Sequence, residues 1–350
     1  MDAIRFTING REVEGKTDET ILEVALRYGI DIPYLCYHPR ISKSGACRIC
    51  MVRIDQGRLK PSCTEPIMPG MQVVTEDEEI ARTRSFVLEL LLSEGDHNCL
   101  YCDANGDCQF QRLVTKYIKD PVLPSPKRFV REIDNNSSKA YKRNENKCIL
   151  CGRCVKTCAE IQVSNVWALA ERGSRTHLAT DEFNGVTNCT NCGSCAQMCP
   201  TGALTFQNVL GEGQAWELTA ESSICIYCGV GCRIDFYKNK EGLLTKALGH
   251  PAGPNQGHLC VKGRFGFDFV QSDKRLKKPL IKRDGKFEEA TWEEALDLVS
   301  SRFTEIKTEN GPDSIAALAS AKCTNEENYL MQKFVRAQVG TNNIDHCARL

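Results

Sequence analysis

The chain has 350 residues, with 45 basic and 45 acidic side chains and so no formal net charge. That balance gives no bulk electrostatic reason to expect a nucleic-acid partner. Its 21 cysteines far exceed ordinary usage and require either disulfides or metal chemistry. No export signal is visible, and the longest apolar stretch, residues 86–92, is too short to span a membrane. We therefore expect a cytoplasmic, reducing compartment, where cysteines bind metals or carry redox chemistry.

The first segment predicts a β-grasp domain, which we place at residues 1–78. Residues 4–8 alternate apolar and polar side chains before an Asn9-Gly10 turn signal, which predicts a hairpin. A short helix is expected to open at Thr17-Asp18 and to end at Gly29. The pattern C-x10-C-x2-C-x12-C follows, formed by Cys36, Cys47, Cys50 and Cys63. Hairpin, helix and cysteines together indicate a ferredoxin domain with a [2Fe–2S] cluster, with His38 as a surface loop residue. The spacing resembles the first domain of the large iron–sulfur subunit of complex I and of cytosolic hydrogenases.

A second cysteine group follows a helix predicted at residues 78–93, whose expected buried, apolar face contains Ile80, Phe86, Val87, Leu90 and Leu91. It contains His97, Cys99, Cys102 and Cys108. Three cysteines are one ligand short for a [4Fe–4S] cube, and the residues alone leave His97 and Asp96 as candidates for the fourth ligand. The group resembles the one-His/three-Cys domain of complex I and related hydrogenases, which implies His97. Many members place three residues between His and the first Cys, whereas this chain has one. We place this domain at 79–120 and a linker rich in Pro and Asn at 121–140.

Two near-copies of one cysteine run lie 41 residues apart, within a domain placed at residues 141–212. Both read C-x2-C-x2-C-x3-C: Cys148, Cys151, Cys154 and Cys158, then Cys189, Cys192, Cys195 and Cys199. In two-cluster ferredoxins the fourth cysteine of each run ligates the other cluster. One [4Fe–4S] cluster is therefore assigned to Cys148, Cys151, Cys154 and Cys199, and another to Cys189, Cys192, Cys195 and Cys158. Zinc is the alternative, but it normally takes one C-x2-C pair from each of two distant knuckles. The interior is expected to form a hairpin turning at residues 172–174, with His177 structural or exposed.

A fifth cluster motif lies in a domain placed at residues 216–272. It reads C-x2-C-x3-C-x27-C and contains Cys225, Cys228, Cys232 and Cys260. It resembles the N-terminal [4Fe–4S] domain of molybdenum or tungsten bis-pterin oxidoreductases, notably the formate dehydrogenases. That resemblance implies that Lys262 relays electrons between this cluster and a pterin, where spacing alone would favour a solvated lysine. Gly263 and Arg264 belong to the same cofactor-binding segment.

The last segment, residues 273–350, predicts an incomplete α/β domain. Capping-box patterns at residues 291–294 and 324–327 each start a helix. Short apolar strands are expected at 314–319 and 343–347, so that the segment forms a βαβ unit.

The end of the sequence carries a further resemblance. Residues 340–350 resemble the formate dehydrogenase segment just before the metal-ligating selenocysteine or cysteine. We therefore expect that catalytic residue just after Leu350, encoded in a longer selenoprotein. Cys323 and Cys347 are expected to be structural.

The predicted fold class is an α+β multidomain iron–sulfur protein that ends in the start of a bis-pterin oxidoreductase domain. The resemblance implies the catalytic (alpha) subunit of a cytosolic formate dehydrogenase, which interconverts formate and carbon dioxide. Its cofactors would be one [2Fe–2S] and four [4Fe–4S] clusters, with Mo or W bis-molybdopterin guanine dinucleotide in the complete enzyme. The chain shows no dinucleotide-binding or Walker A motif. NAD(P) and flavin are therefore expected on partner subunits, beside other iron–sulfur, ferredoxin or hydrogenase subunits.

Two other classes share the first cluster motifs. One is the large iron–sulfur subunit of a complex I-like NADH dehydrogenase, acting purely in electron transfer; it usually lacks two complete four-cysteine runs. The other is a hydrogenase subunit, whose catalytic domain should carry different cysteine signatures after residue 210. The fifth motif at residues 225–260 favours the bis-pterin class over both.

Overall fold

The computed structural model describes residues 3–119, 131, 133–134, 138–183, 187–207, 213–321 and 323–347, with the backbone alone for Cys347. The chain forms two compact units. The first comprises residues 1–220, 237–246 and 259–264, and the second comprises residues 221–236, 247–258 and 265–350.

The first unit begins with a five-stranded mixed sheet covered by one helix. Its strands are β1 (Ile4–Ile8), β2 (Arg11–Gly15), β3 (Met51–Ile54), β4 (Leu59–Pro61) and β5 (Gln72–Val74) in the order β2-β1-β5-β3-β4. Strand β1 pairs antiparallel with β2 and parallel with β5, which confirms the predicted hairpin and β-grasp topology. Asn9 and Gly10 have φ of 51° and 77°, the left-handed conformations that a tight hairpin turn requires.

Helix α1 (Ile21–Arg27) packs four buried apolar residues onto this sheet. It begins later than the predicted Thr17-Asp18. Thr20 is the N-cap and forms a capping box with Glu23, which satisfies the free N–H groups of the first turn. Gly29, at φ 69°, follows the end of the helix as predicted.

Helix α2 (Glu78–Glu94) confirms the next prediction, but its buried face differs from the predicted one. Phe86 and Leu90 were expected inside, yet they are 60% and 50% exposed. The buried stripe instead follows residues 80, 84 and 88, spaced four apart on one helix face. Its middle member, Arg84, is 1% exposed. Its guanidinium donates to the carbonyl oxygens of Met51 and Thr75 at 3.1 and 2.9 Å, so a buried cation fixes the helix to the sheet.

The next part of the first unit carries the His97 group and the tandem cysteine region. Its elements are α3 (Gln109–Tyr117), β6 (Ile133–Asp134), β7 (Tyr141–Asn144), α4 (Arg153–Lys156), β8 (Trp167–Ala170), β9 (His177–Thr180), α5 (Ser194–Met198) and β10 (Leu204–Phe206). Strands β8 and β9 form the predicted antiparallel hairpin. Gly152 and Gly193 precede α4 and α5 with φ of 73° and 70°, so the sequence repeat is also a structural repeat. Much of the predicted linker, including its three prolines, lies outside the described residues.

The remaining elements are β11 (Thr219–Ile224), β12 (Arg233–Lys238), β13 (Leu244–Gly249), α6 (Val261–Phe265), β14 (Leu280–Arg283), β15 (Lys286–Glu289), α7 (Trp292–Asn310), β16 (Ala317–Ser320), α8 (Asn325–Lys333) and β17 (Ile344–Cys347). Strands β16 and β17 are parallel, which confirms the predicted βαβ unit. Thr291 and Thr324 form the predicted capping boxes with Glu294 and Glu327. None of the helices in the described part of the chain combines the length and the apolar character that a membrane crossing requires.

Candidate iron–sulfur sites

The four cysteines of the β-grasp domain are buried together, in the loop between α1 and β3 and just after β4. Each is 8% exposed or less. The Cys47 N–H donates to the Cys36 sulfur at 3.5 Å, and the Cys36 N–H donates to the Cys47 sulfur at 3.4 Å. Such N–H···S contacts tune the potential of a cluster bound there.

The thiols of this group perturb one another strongly. Hydrogen bonds from Cys47 and Cys63 hold the pKa of Cys36 well below its usual range. A hydrogen bond from Cys63 lowers the pKa of Cys50 to about 7. The donors respond in the opposite sense, so the pKa values of Cys47 and Cys63 are raised, chiefly by their bonds to Cys36. Thiolates are the form that binds metal, and the hydrogen bonds within this set stabilise the thiolates of Cys36 and Cys50.

A cavity of about 220 Å³ marks the second predicted site. Its walls include His97, Cys99, Cys102 and Cys108. Asp96, the alternative ligand, is exposed and is not among the described wall residues. The His97 ring packs 4.8 Å from the Phe110 ring, measured between centroids, which orients the imidazole. Burial raises the pKa of Cys108 to about 11. The structure thus brings together the four residues that the sequence predicted.

Two further residues shape this cavity, and sequence reasoning missed both. Lys147 is buried, and its Nζ donates to the carbonyl oxygens of Asp96 and Asn98 at 3.2 Å each, bracketing His97. Gly202 approaches so closely that a Cβ there would lie 2.3 Å from the Cys102 sulfur. The signals that could have indicated these two residues were their places in the sequence, since Lys147 directly precedes Cys148 and Gly202 follows soon after Cys199.

The tandem cysteines are grouped in the crossed pattern. The pKa of Cys148 and of Cys151 is raised to about 12, chiefly by burial, and the charge of Cys199, from the other run, contributes to both shifts. Likewise, burial raises the pKa of Cys195, and the charge of Cys158 adds to it. A separate cavity has walls that include Cys158, Cys189, Cys192 and Cys195. Each run therefore places its fourth cysteine with the first three of the other run.

The fifth motif is divided between the two compact units. Cys225, Cys228 and Cys232 lie in the second unit, in a turn where the Cys225 N–H donates to the Cys232 carbonyl oxygen at 2.8 Å. Cys260 lies in the first unit, immediately before α6. Lys262 is exposed on α6, whereas Gly263 and Arg264 are buried.

The donor sets suit clusters better than single ions. In the described part of the chain, no three His, Cys, Asp or Glu side chains converge closely enough for one metal ion. An iron–sulfur cube takes each ligand on a different iron atom and therefore needs wider spacing. The cavity lined by His97, Cys99, Cys102 and Cys108 provides such a set around one open volume.

Fold and cysteine sets define an iron–sulfur electron-transfer protein. Family models match in this order: a 2Fe-2S iron-sulfur cluster binding domain at residues 1–78, an NADH-ubiquinone oxidoreductase-G iron-sulfur binding region at 84–119, a 4Fe-4S dicluster domain at 144–203, a molybdopterin oxidoreductase Fe4S4 domain at 218–272 and molybdopterin oxidoreductase at 275–350.

Curated relatives and a solved structure are similar to this chain over different shares of its length. The chain is 35% identical to an NADH-quinone oxidoreductase subunit of Rhizobium meliloti, over 99% of this chain and 40% of that protein. It is 30% identical to a "Putative formate dehydrogenase" of Staphylococcus haemolyticus, over 98% of this chain and 39% of that protein. A crystal structure of NAD+-reducing [NiFe]-hydrogenase in the H2-reduced state matches with a TM-score of 0.55 and 34% identity, over 58% of this chain and 87% of that one.

The chain therefore belongs to the iron–sulfur oxidoreductases in which cluster domains of the NADH-ubiquinone oxidoreductase-G type occur with a molybdopterin oxidoreductase domain. It is the iron–sulfur, electron-transfer part of such a subunit. The predicted fold class is confirmed. The chain spans about 40% of the length of the curated relatives that it matches.

Proposed function

We propose that this chain carries electrons from a molybdenum or tungsten bis-pterin site to NAD(P)- or ferredoxin-linked partner subunits, in a formate dehydrogenase that interconverts formate and carbon dioxide. The observation that carries this proposal is the molybdopterin oxidoreductase Fe4S4 domain at 218–272, close behind the dicluster domain at 144–203. A cluster domain of that class serves a pterin active site. The domains at 1–78 and 84–119 then connect it to partners.

Five ligand sets follow from the sequence and form part of this proposal. The [2Fe–2S] cluster is held by Cys36, Cys47, Cys50 and Cys63. The [4Fe–4S] clusters are held by His97, Cys99, Cys102 and Cys108; by Cys148, Cys151, Cys154 and Cys199; by Cys189, Cys192, Cys195 and Cys158; and by Cys225, Cys228, Cys232 and Cys260. Lys262 lies between the last cluster and the pterin and relays electrons. The cavities at the second and fourth sets and the shared charge effects at the third support these assignments.

The substrate proposal has two supports. One is the similarity of residues 340–350 to the segment before the catalytic selenocysteine or cysteine of formate dehydrogenases. The other is the relative whose printed name is a formate dehydrogenase. A cytoplasmic location, expected from the cysteine usage, is part of the same proposal.

A second candidate function is pure electron transfer in an NADH-quinone oxidoreductase-like complex. The relative named as an NADH-quinone oxidoreductase subunit is the more similar of the two, at 35% identity. The match at 84–119 to the NADH-ubiquinone oxidoreductase-G region favours it as well.

Formate-dependent cluster reduction in the intact complex separates the two candidates. The complex is purified anaerobically, and its visible iron–sulfur absorbance is followed after adding formate or NADH. The formate dehydrogenase proposal expects bleaching by formate and stoichiometric Mo or W. Bleaching by NADH alone, with neither metal present, would instead support the second candidate.

A further inference from the structure

Arg264 is a buried cation beside one of the tandem cysteine sets. The residue is 1% exposed, and its Nε donates to the carbonyl oxygen of Cys192 at 2.7 Å. Its guanidinium carbon lies 5.3 Å from the centroid of the Phe206 ring, within cation–π distance. Each of these groups belongs to the first compact unit. The side chain is thus fixed against the loop that carries Cys192.

The charge on this arginine survives its burial. An arginine guanidinium keeps its proton in proteins even where it is buried, because its pKa lies far above neutrality. At neutral pH the guanidinium therefore stays positive. A fixed positive charge inside a low-dielectric interior acts far more strongly on a nearby charge than one in water.

The same arginine also joins two predicted cluster ligands. The Arg264 N–H donates to the Cys260 carbonyl oxygen at 3.1 Å, and the Arg264 side chain reaches the Cys192 carbonyl oxygen. Covalent bonds and two hydrogen bonds thus connect Cys260, assigned to the pterin-side cluster, with Cys192, assigned to a ferredoxin cluster. The bond to Cys260 comes from the Arg264 backbone, whereas the bond to Cys192 requires the buried side chain.

We propose that the buried positive charge of Arg264 raises the reduction potential of the [4Fe–4S] cluster held by Cys158, Cys189, Cys192 and Cys195. This inference rests on the ligand set proposed above. Reduction adds one electron to the cluster, breaks no bond and makes the cluster more negative by one charge. The guanidinium stabilises that added charge, so this cluster accepts an electron more readily than it would without the cation.

The test is an anaerobic redox titration with dithionite, followed by electron paramagnetic resonance, on the holoenzyme and its variants. The signal of this cluster is first identified by its loss in Cys189→Ser. Arg264→Gln removes the charge and keeps an amide donor. We expect its reduction equilibrium constant to fall about tenfold or more, which for one electron is 59 mV.

Two matched variants separate charge from structure. Arg264→Lys keeps the positive charge, so the reduction equilibrium constant of the cluster in this variant should stay within about twofold of the wild-type value. Arg175→Gln removes a charge from the turn of the β8–β9 hairpin, where that side chain is 73% exposed, and should leave the potential unchanged. Iron content, measured on every variant, reports whether the clusters have assembled.

Four results would overturn the inference. One is an unchanged midpoint in Arg264→Gln with full iron content. Another is an equal shift in Arg264→Gln and Arg264→Lys, since that outcome would mark a structural role only. If the clusters fail to assemble in Arg264→Gln, the inference is tested on Arg264→Lys alone. A change of about tenfold or more in the reduction equilibrium constant of that variant contradicts the inference. Retention of every cluster signal in Cys189→Ser would instead refute the ligand set itself, and this inference with it.

Discussion

Replacing Gly202 by alanine should remove the cluster at His97. An alanine Cβ would lie 2.3 Å from the Cys102 sulfur, whereas ordinary contacts begin at 3.4 Å. Either the sulfur or the backbone must therefore move by about 1 Å, although metal-ligand distances tolerate only about 0.2 Å. The φ of Gly202 is not positive, so alanine meets no backbone strain there and the effect is steric. We expect the variant to lose about four irons per chain, the content of one cube.

The assay is iron quantification with resonance spectra on anaerobically purified protein. Gly70→Ala is the control, because Gly70 has φ of 73° but no atom within 4 Å of an added Cβ. That variant should be strained by about 1 kcal/mol and keep all its iron. Full iron content in Gly202→Ala, with the signal of the histidine-ligated cluster intact, would refute the reasoning.

Three other predictions concern ligation and stability. His97→Cys should keep its four irons but shift the midpoint of that cluster downward, because thiolate replaces a nitrogen ligand, and Asp96→Ala should change neither quantity. Arg84→Met should lower the free energy of unfolding by about 3 kcal/mol, because the carbonyl oxygens of Met51 and Thr75 lose their hydrogen-bond donor. A lower temperature of thermal cluster bleaching would report this loss of stability. Thr20→Ala should lower the free energy of unfolding by about 1 kcal/mol because it removes a helix N-cap, whereas Thr17→Ala should leave it nearly unchanged. A larger loss in Thr17→Ala than in Thr20→Ala would contradict a helix start at Ile21.

Most of the fold was predictable because its signals are local. The Asn9-Gly10 turn, the capping boxes of α7 and α8 and the glycines that end helices act within a few residues. The tandem cysteine runs were equally predictable, because three of the four ligands of each cluster lie within seven residues of one another in the sequence. The crossed grouping of Cys158 and Cys199 was predicted for the same reason, and their charge effects on the opposite runs agree with it.

The errors and omissions come from tertiary contacts. The buried face of α2 was misjudged because Arg84 looks polar in sequence, yet it lies inside to pair with carbonyl oxygens of β3 and the segment after β5. The roles of Lys147 and Gly202 at the His97 site depend on segments about fifty to one hundred residues away along the chain. No periodicity or spacing rule links positions so distant in sequence.

An iron count with Mössbauer spectroscopy shows whether this chain holds five iron–sulfur clusters. The protein is purified anaerobically from cells grown with ⁵⁷Fe, and iron, acid-labile sulfide and zinc are measured per chain. We expect about eighteen irons, as one [2Fe–2S] and four [4Fe–4S] clusters. Stoichiometric zinc in place of iron, or a cluster total well below this value in intact protein, would contradict it.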